Sequence, residues 1–332
     1  MLKNAASMHV AVVGLGAWGM ALALHALRRG FRVTGWHHDQ GEVARLLSTR
    51  SFQRGSVTAP VPGNLGITSD LALTADADLT IVALPASAWA EVVPNVRAKV
   101  LVSATKGLEP TTVSTPLQYA SSSLSLAPDA LAVISGPSFA SDLVAERPIS
   151  IVSGSVSEKT AALVAEALSG NSLRIYTSAD PLGVELGGIL KNVVAIAVGV
   201  SDALNYGPSA RAALIARGLA EMTRLAAGLG ADPRTLSGLS GLGDLVMTAT
   251  ENQSRNRTVG LRLGKGEKIA DITASLGSVA EGVSTAPLVQ QLAAKAGVEV
   301  PLTDHIVKLL SGEIAAQDLA AALMARPLRS EF

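Results

Sequence analysis

The sequence contains no cysteine among its 332 residues. This absence excludes disulfide bonds, thiolate metal ligands and a cysteine nucleophile. Histidine is also scarce, and the five that are present form no helical pair at the spacing of zinc ligands. We therefore expect no metal site.

An excess of charge of either sign is also lacking, since 27 Lys and Arg balance 27 Asp and Glu. This balance argues against nucleic acid or an anionic membrane as the main partner. The N-terminus lacks a signal-peptide pattern, and no apolar run looks long enough to span a bilayer. We expect a cytoplasmic enzyme or sensor of small molecules, and the oligomeric state stays open, with a homodimer as one option.

The chain exceeds the usual size of a single hydrophobic core, so two domains are expected. Strand patterns recur along the first half and stop near residue 180, where a helix-only region begins. The pattern predicts a Rossmann-like, doubly wound α/β domain over residues 1–180 and an all-α domain over residues 181–332.

A glycine motif directly follows the first predicted strand, His9–Val13. In this motif Gly14 permits a tight turn, Gly16 lets the backbone approach a pyrophosphate, and Gly19 lets the next helix pack closely on the strand. The helix N-terminus offers free N–H groups to phosphates. Strand, glycine motif and helix together predict a site for NAD or NADP.

Two residues after the second predicted strand bear on the choice of cofactor. Asp39 follows Gly19 by twenty residues, where an acid binds the ribose hydroxyls of NAD, although it could equally cap the next helix. His38 favours a 2′-phosphate, so the choice between NAD and NADP stays open. The next stretch, residues 48–66, lacks periodicity and is predicted to be a loop, and residues 87–98 are predicted to be a helix.

Two further turns follow predicted strands. Lys106 comes after the strand at residues 100–104, and Gly136 and Ser138 come after the strand that begins at Leu131. The carboxyl ends of strands line the ligand crevice of a doubly wound sheet, which makes these residues candidate ligand contacts. For Lys106 alone, an exposed turn lysine is the simpler reading.

Lys191 interrupts an apolar helix that covers residues 186–200. At about 1.5 Å per residue it lies more than a helical turn from either end of the apolar stretch, so its own side chain is not expected to reach water. It must therefore meet a polar group inside the protein, and desolvation lowers the pKa of a buried lysine toward the range of a general acid/base. Replacing it by alanine should leave stability unchanged or raise it, because a desolvation cost is removed and a good helix former is introduced.

Polar residues at two later helix starts are candidate partners of a substrate. Asp244 follows three closely spaced glycines and is either a site residue or a helix N-cap. Ser254, Arg255 and Asn256 lie in a polar run of six residues before another helix, where they suit a phosphate monoester. A solvated loop is the alternative.

The chain resembles the bacterial-type NAD(P)-dependent sn-glycerol-3-phosphate dehydrogenases along essentially its whole length. The resemblance rests on eight motifs in the family's order: GLGAWG, ATKGLE, SGPSFA, LGGILKNVVAIAVG, RGLAEM, GLGDLV, NQSRNR and VAEG. It implies interconversion of glycerol 3-phosphate and dihydroxyacetone phosphate with NAD or NADP, and a supply of glycerol 3-phosphate for phospholipid synthesis.

The resemblance also implies roles for individual residues. Lys191 would transfer the proton, assisted by Lys106 and Asp244. The implied substrate contacts are Lys106, Gly136, Ser138, Lys191, Asp244, Ser254, Arg255 and Asn256. The implied cofactor contacts, with the glycine motif, are Gly14, Gly16, Ala17, Trp18, Gly19, His38, Lys106, Ala140, Arg255, Val279 and Glu281. His38 stands where arginine is common in the family, which puts a strict NADP preference in doubt.

Two other classes compete with this reading. A 3-hydroxyacid or 6-phosphogluconate type dehydrogenase shares the glycine motif and a lysine near an asparagine, but gives no reason for GLGDLV and NQSRNR. A dinucleotide-sensing regulator without catalysis explains the glycine motif but not a lysine buried in the middle of a helix.

Overall fold

The computed structural model describes residues 8–276 and 279–319. The chain forms two compact units, of which the first ends at Glu185 and the second begins at Leu186. The predicted boundary at residue 180 lies slightly earlier, at the start of the long helix α7 (Pro181–Ala203). The first turn of α7 belongs to the first unit because Pro181 and Val184 pack against Gly154 there.

The first unit is built on an eight-stranded sheet of order β10-β9-β8-β7-β6-β1-β2-β5. Every neighbouring pair is parallel except β8 and β9, which are antiparallel. The strands of this unit are β1 (His9–Val13), β2 (Arg32–Trp36), β3 (Ser51–Arg54), β4 (Val57–Pro60), β5 (Gly66–Thr68), β6 (Leu79–Val82), β7 (Leu101–Ser103), β8 (Leu131–Ser135), β9 (Ile149–Gly154) and β10 (Leu173–Ser178). The predicted doubly wound α/β fold is therefore present.

Helices cover this sheet and close its core. They are α1 (Ala17–Arg28), α2 (Gln40–Thr49), α3 (Trp89–Val92), α4 (Pro116–Ser123), α5 (Ala140–Val144) and α6 (Glu158–Leu168). Each residue of β1 is buried, which is the pattern of a central strand covered on both faces. The carboxyl end of β1 is thereby held at the centre of the sheet, where the glycine motif begins.

Two predictions of local structure are wrong. Residues 48–66 are not an irregular loop, because β3 and β4 pair there as an antiparallel hairpin. The predicted helix at residues 87–98 is limited to short 3₁₀ turns and the single turn α3. Pro94 lies in the last of these turns, and a proline in a helix interior removes a hydrogen-bond donor and clashes with the preceding turn.

The second unit contains only helices within residues 186–276 and 279–319. After α7 these are α8 (Gly207–Gly228), α9 (Pro233–Leu236), α10 (Asp244–Thr250), α11 (Arg255–Gly264), α12 (Ile269–Ser275), α13 (Glu281–Ala296) and α14 (Pro301–Ser311). A π-helical turn at Leu239–Gly243 leads into α10.

Helix α7 is long and apolar enough to cross a bilayer, so the expectation that no run has this length is wrong. Its most apolar window is entirely buried within the fold, as in the core helix of a globular protein. Glycines let its neighbours approach closely: a Cβ on Gly199 would lie 2.2 Å from the Arg257 carbonyl oxygen, and one on Gly260 would lie 2.0 Å from that of Ile196. The backbones of α7 and α11 thus touch where side chains would separate them.

Candidate active site

The glycine motif forms a tight cradle between β1 and α1. Gly14 has φ 103°, a conformation that disfavours a side chain, and a Cβ on Gly19 would lie 1.9 Å from the Gly14 carbonyl oxygen. Gly16 precedes α1 as its N-cap and leaves the first turn without a side-chain cap. The half-buried Ala17 and Trp18 begin the helix. A phosphate therefore suits this cradle, because the first N–H groups of a helix lack intrahelical partners and no side chain caps them here.

Asp39 acts as the N-cap of α2. Its Oδ1 accepts hydrogen bonds from the N–H of Gly41 at 2.7 Å and of Glu42 at 3.2 Å. These hydrogen bonds, that of Glu42 foremost, lower the pKa of Asp39. Of its two predicted roles, the structure shows the cap. The neighbouring His38 is exposed and stacks on His37 with ring centroids 4.7 Å apart.

The two turns after β7 and β8 come together at one edge of the sheet. Lys106 Nζ donates to the Gly136 carbonyl oxygen at 2.9 Å, and Ser138 Oγ donates to the same oxygen at 3.1 Å. Gly136 has φ 149°, and a Cβ there would lie 2.9 Å from the Cα of Ile151. Ala140, the first residue of α5, follows directly. The structure thus gathers these predicted contacts of the first unit at the carboxyl ends of neighbouring strands.

Lys191 lies in the middle of α7 and is only 5% exposed. Its Nζ donates to Oδ1 of the fully buried Asp244 and, at 2.8 Å, to Oγ1 of Thr248. Thr248 in turn donates to Asp244 Oδ1 at 3.3 Å. The ammonium does not reach the surface as a snorkelling lysine would, because two polar partners on α10 hold it inside the unit.

A chain of amides lies beside this cluster. The Gly282 N–H donates to Asn256 Oδ1 at 2.9 Å, and Asn256 Nδ2 donates to Asn192 Oδ1 at 2.8 Å. Asn192 Nδ2 completes the chain by donating to the Gly188 carbonyl oxygen at 3.4 Å. Asn192 directly follows Lys191, so the chain fixes the start of α11 and of α13 relative to the lysine.

The polar run before α11 is not a fully solvated loop, because some of its side chains are buried and hydrogen-bonded within the unit. Ser254 is the buried N-cap of α11, and its Oγ accepts from the N–H of Arg257 at 3.2 Å. Arg257 is also buried, and its guanidinium donates to Asp202 Oδ2 at 2.7 Å and to Asn252 Oδ1 at 2.9 Å. With its neighbours fixed in this way, Arg255 is held exposed at the first position of the helix.

The remaining predicted cofactor contacts of this unit adjoin the same amide chain. Glu281 begins α13, and Val279 is 50% exposed before it. Sequence reasoning assigned no role in the site to Thr248, Asn192 or Arg257. Thr248 had a signal, because it lies four residues after Asp244 and therefore on the same helix face.

These features define the class of protein. The first unit carries a phosphate cradle at a helix N-terminus in a Rossmann-like sheet, an arrangement that is typical of dinucleotide-binding domains. The second unit carries a buried lysine that can exchange a proton, next to exposed and buried polar groups suited to a small anion. The class is thus a dinucleotide-dependent oxidoreductase.

Comparisons with known proteins identify the family. Residues 9–161 match the model "NAD-dependent glycerol-3-phosphate dehydrogenase N-terminus" and residues 180–321 match its C-terminus counterpart. The glycerol-3-phosphate dehydrogenase [NAD(P)+] of Pseudoalteromonas translucida is 41% identical over 99% of this chain and 100% of its own, and that of Leptothrix cholodnii is 42% identical over 98% and 100%. The chain belongs to the NAD-dependent glycerol-3-phosphate dehydrogenase family.

A solved structure agrees with this assignment. The crystal structure of the glycerol-3-phosphate dehydrogenase from Coxiella burnetii matches with a TM-score of 0.90 at 35% identity, covering 96% of this chain and 99% of that one. The predicted family, fold class and nicotinamide-dependent oxidoreductase class are confirmed.

Proposed function

We propose that this chain interconverts sn-glycerol 3-phosphate and dihydroxyacetone phosphate with NAD or NADP, and that Lys191 transfers the proton. The observation that carries the assignment is the buried contact of Lys191 Nζ with Asp244 and Thr248. Such a costly arrangement has no evident structural purpose in an otherwise apolar helix, since a leucine would pack there without desolvation.

The chemistry divides between the cofactor and the chain. The nicotinamide, when bound, accepts or supplies the hydride. In the oxidation, the neutral amine form of Lys191 takes the proton of the substrate hydroxyl and becomes an ammonium, and in the reduction the ammonium returns that proton to the carbonyl oxygen. Asp244 and Thr248 hold the Nζ atom at a fixed place, so that no free energy is spent on orienting it during the reaction.

The substrate phosphate is assigned to residues at the start of α11. Arg255 supplies an exposed guanidinium there, which can form two parallel hydrogen bonds to a phosphate. Ser254 and Asn256 flank it, and both side chains are buried and oriented by further hydrogen bonds. In the first unit, Lys106, Gly136 and Ser138 are assigned to the substrate, and the glycine motif and Ala140 to the cofactor.

The test is oxidation of NADH and of NADPH by the purified chain, with dihydroxyacetone phosphate as the substrate. We expect phosphate-dependent turnover with at least one cofactor. Unphosphorylated dihydroxyacetone and a 3-hydroxyacid serve as controls. Equal use of dihydroxyacetone would contradict the phosphate site, preference for the hydroxyacid would favour the rival dehydrogenase class, and cofactor binding without any turnover would favour a sensor.

We further propose that the chain acts in the cytoplasm on this small phosphorylated substrate, to supply glycerol 3-phosphate for phospholipid synthesis, without a nucleic-acid partner. The neutral balance of 27 cationic and 27 anionic residues supports the absence of a polyanionic partner. A homodimer remains an expectation, for which sedimentation of the purified chain is the measurement.

A further inference from the structure

The hairpin of β3 and β4 presents one arginine on its inner face. Side chains on the same face of a strand are two residues apart, and directly paired residues share a face. Phe52 pairs with Ala59 and Arg54 pairs with Val57, so these four residues lie on one face. Phe52, Val57 and Ala59 are buried in the core of the first unit. Arg54 is therefore a cation on the inward side of an otherwise apolar face.

The hairpin turn fixes how far Arg54 extends. Gly55 and Ser56 form a two-residue turn, and Gly55 has φ 57°, as the first position of such a turn favours. Arg54 is the last strand residue before this turn, beyond the buried Phe52. Its position thus depends on the packing of the hairpin and not on a flexible loop.

Arg54 lies over the glycine motif. Its Nη1 is 4.0 Å from the place that a Cβ on Gly16 would occupy. The pKa of His37 is lowered mainly by burial, and the charge of Arg54 adds to this lowering. The pKa of Glu42 is lowered mainly by its hydrogen bonds with Arg45, and Arg54 contributes there as well. The guanidinium is thus close to the glycine turn, and the end of β2 adjoins that turn because the N–H groups of Gly14 and Leu15 donate to the Trp36 carbonyl oxygen.

The surroundings of Arg54 favour an anionic ligand. Within residues 8–276 and 279–319, the side chain of Arg54 forms no hydrogen bond and no ion pair, although its backbone pairs with Val57 in the hairpin. The carboxylate that would bind the ribose hydroxyls of NAD, that of Asp39, uses its Oδ1 atom to accept from the N–H groups of Gly41 and Glu42, which ties it to the start of α2. Two cationic or ionisable side chains, the exposed His38 and Arg54, are thus near the end of β2, where they can contact the 2′-substituent of the adenosine ribose.

We propose that Arg54 binds the 2′-phosphate of NADPH and thereby makes this chain bind NADPH more tightly than NADH. The guanidinium forms a charge-assisted contact that NADH, with a 2′-hydroxyl, cannot make. The ribose of either cofactor is expected at the end of β2, because the second strand of a dinucleotide-binding sheet ends there. The proposal rests on the use of a nicotinamide cofactor proposed above.

Arg54→Met tests it, with binding followed by the fluorescence of NADPH and NADH. We expect the Kd for NADPH to rise about tenfold, the lower end of the effect of one charge-assisted contact because the site is open to water. The Kd for NADH should change less than about twofold. Arg54→Lys keeps the positive charge but lacks the planar guanidinium, so its affinity for NADPH should fall less than that of Arg54→Met.

Two nucleotide fragments separate the 2′-phosphate from the pyrophosphate. Inhibition by 2′,5′-ADP, which carries the 2′-phosphate, should weaken in Arg54→Met, whereas inhibition by ADP should not. Equal weakening of both fragments would place Arg54 on the pyrophosphate and overturn the proposal. An unchanged ratio of NADPH to NADH affinity would overturn it as well.

Arg97→Met is the matched control. Arg97 is an exposed arginine of the same unit that precedes β7, at the edge of the sheet opposite the glycine motif. Its loss changes the net charge equally and should leave the affinity ratio unchanged, and an equal effect of both substitutions would contradict a local contact. Parent turnover of dihydroxyacetone phosphate, measured first, distinguishes failure of this proposal from failure of the proposed reaction.

Discussion

Helix α7 buries one ionisable side chain in each of the two units, and the two side chains differ in the charge of their hydrogen-bonding partners. Glu185 is held by neutral donors, the Leu117 N–H at 2.9 Å and the Thr115 hydroxyl, with no charged partner among the described residues. Lys191, six residues later, faces the carboxylate of Asp244. Burial raises the pKa of Glu185 to about 7. Glu185 thus accepts a hydrogen bond from the first turn of α4, which is a structural role. Lys191, paired with a carboxylate, is suited to exchange a proton.

The largest effect should come from Lys191→Ala. Turnover should fall by at least the ~10²–10⁴ that is typical of losing a general acid/base, while NADPH still binds. The expectation from the sequence that stability would hold or rise is revised, because the substitution removes the ionic partner of the fully buried Asp244. Its unpaired charge should lower the free energy of unfolding by about 3–5 kcal/mol. Steady-state rates, cofactor titration and urea unfolding on one preparation measure all three.

The double variant Lys191→Met/Asp244→Leu is the control for this effect. It removes both charges and should recover most of the lost stability without recovering turnover. A single variant that retained a tenth or more of the parental turnover would show that Lys191 is structural, like Glu185.

Glu185→Gln tests the other half of the comparison through pH. Because the pKa of Glu185 is raised in the folded protein from 4.5 to about 7, its contribution to stability is complete below pH 4.5 and is lost as the pH rises toward 7. The charged form should cost about 3 kcal/mol at higher pH. Glutamine keeps an acceptor for the Leu117 N–H and carries no charge, so the variant should lack this loss.

Urea unfolding of the parent and of Glu185→Gln from pH 5 to pH 8 measures the difference. The two curves should diverge as the pH rises, with the variant more stable, and turnover at fixed pH should be similar. A constant difference at every pH would mean that Glu185 does not titrate in this range.

Exposed cations extend the comparison, since their substitution should change ligand affinity without changing stability. Arg255→Lys should raise the Michaelis constant for dihydroxyacetone phosphate about tenfold to a hundredfold, because lysine cannot form the forked contact. Arg234→Lys, at an exposed arginine of the same unit, should leave that constant unchanged. A lower kcat or a lower melting temperature in Arg255→Lys would show that Arg255 contributes to catalysis or stability, as expected of Lys191, and not only to substrate affinity.

The smallest effect is expected from His38→Arg. An added positive charge at the end of β2 should shift the ratio of NADPH to NADH affinity a few-fold toward NADPH, because an exposed charge in water contributes little. Titration of both cofactors measures the ratio. If it stayed the same, the side chain at position 38 would lie out of reach of the 2′-phosphate.

Local patterns in the sequence predicted most of this fold. The glycines at positions 14, 16 and 19 follow from steric limits on the backbone, which depend on few neighbours. The burial of Lys191 also followed from its distance to the ends of an apolar stretch. Its contact with Asp244, 53 residues away, depends on the packing of α7 against α10, which local sequence does not encode.

The hairpin of β3 and β4 shows the same limit. Pro60, Pro62 and Gly63 suggested a loop, because they interrupt any periodic pattern. The strands exist because Phe52 and Val57 are buried in a core contributed by distant elements. The position of Arg54 over the glycine motif depended on that packing and could not be predicted.

The amide chain from Gly282 through Asn256 and Asn192 has a consequence for the ageing of the protein. It begins at a backbone N–H and ends at a backbone carbonyl, so only one orientation of both side-chain amides satisfies it. Spontaneous deamidation of Asn256 would replace its donor group by an oxygen facing the Asn192 oxygen. Two acceptors would then meet in a buried place, and the enzyme would lose the alignment of α7, α11 and α13 through damage to a single amide.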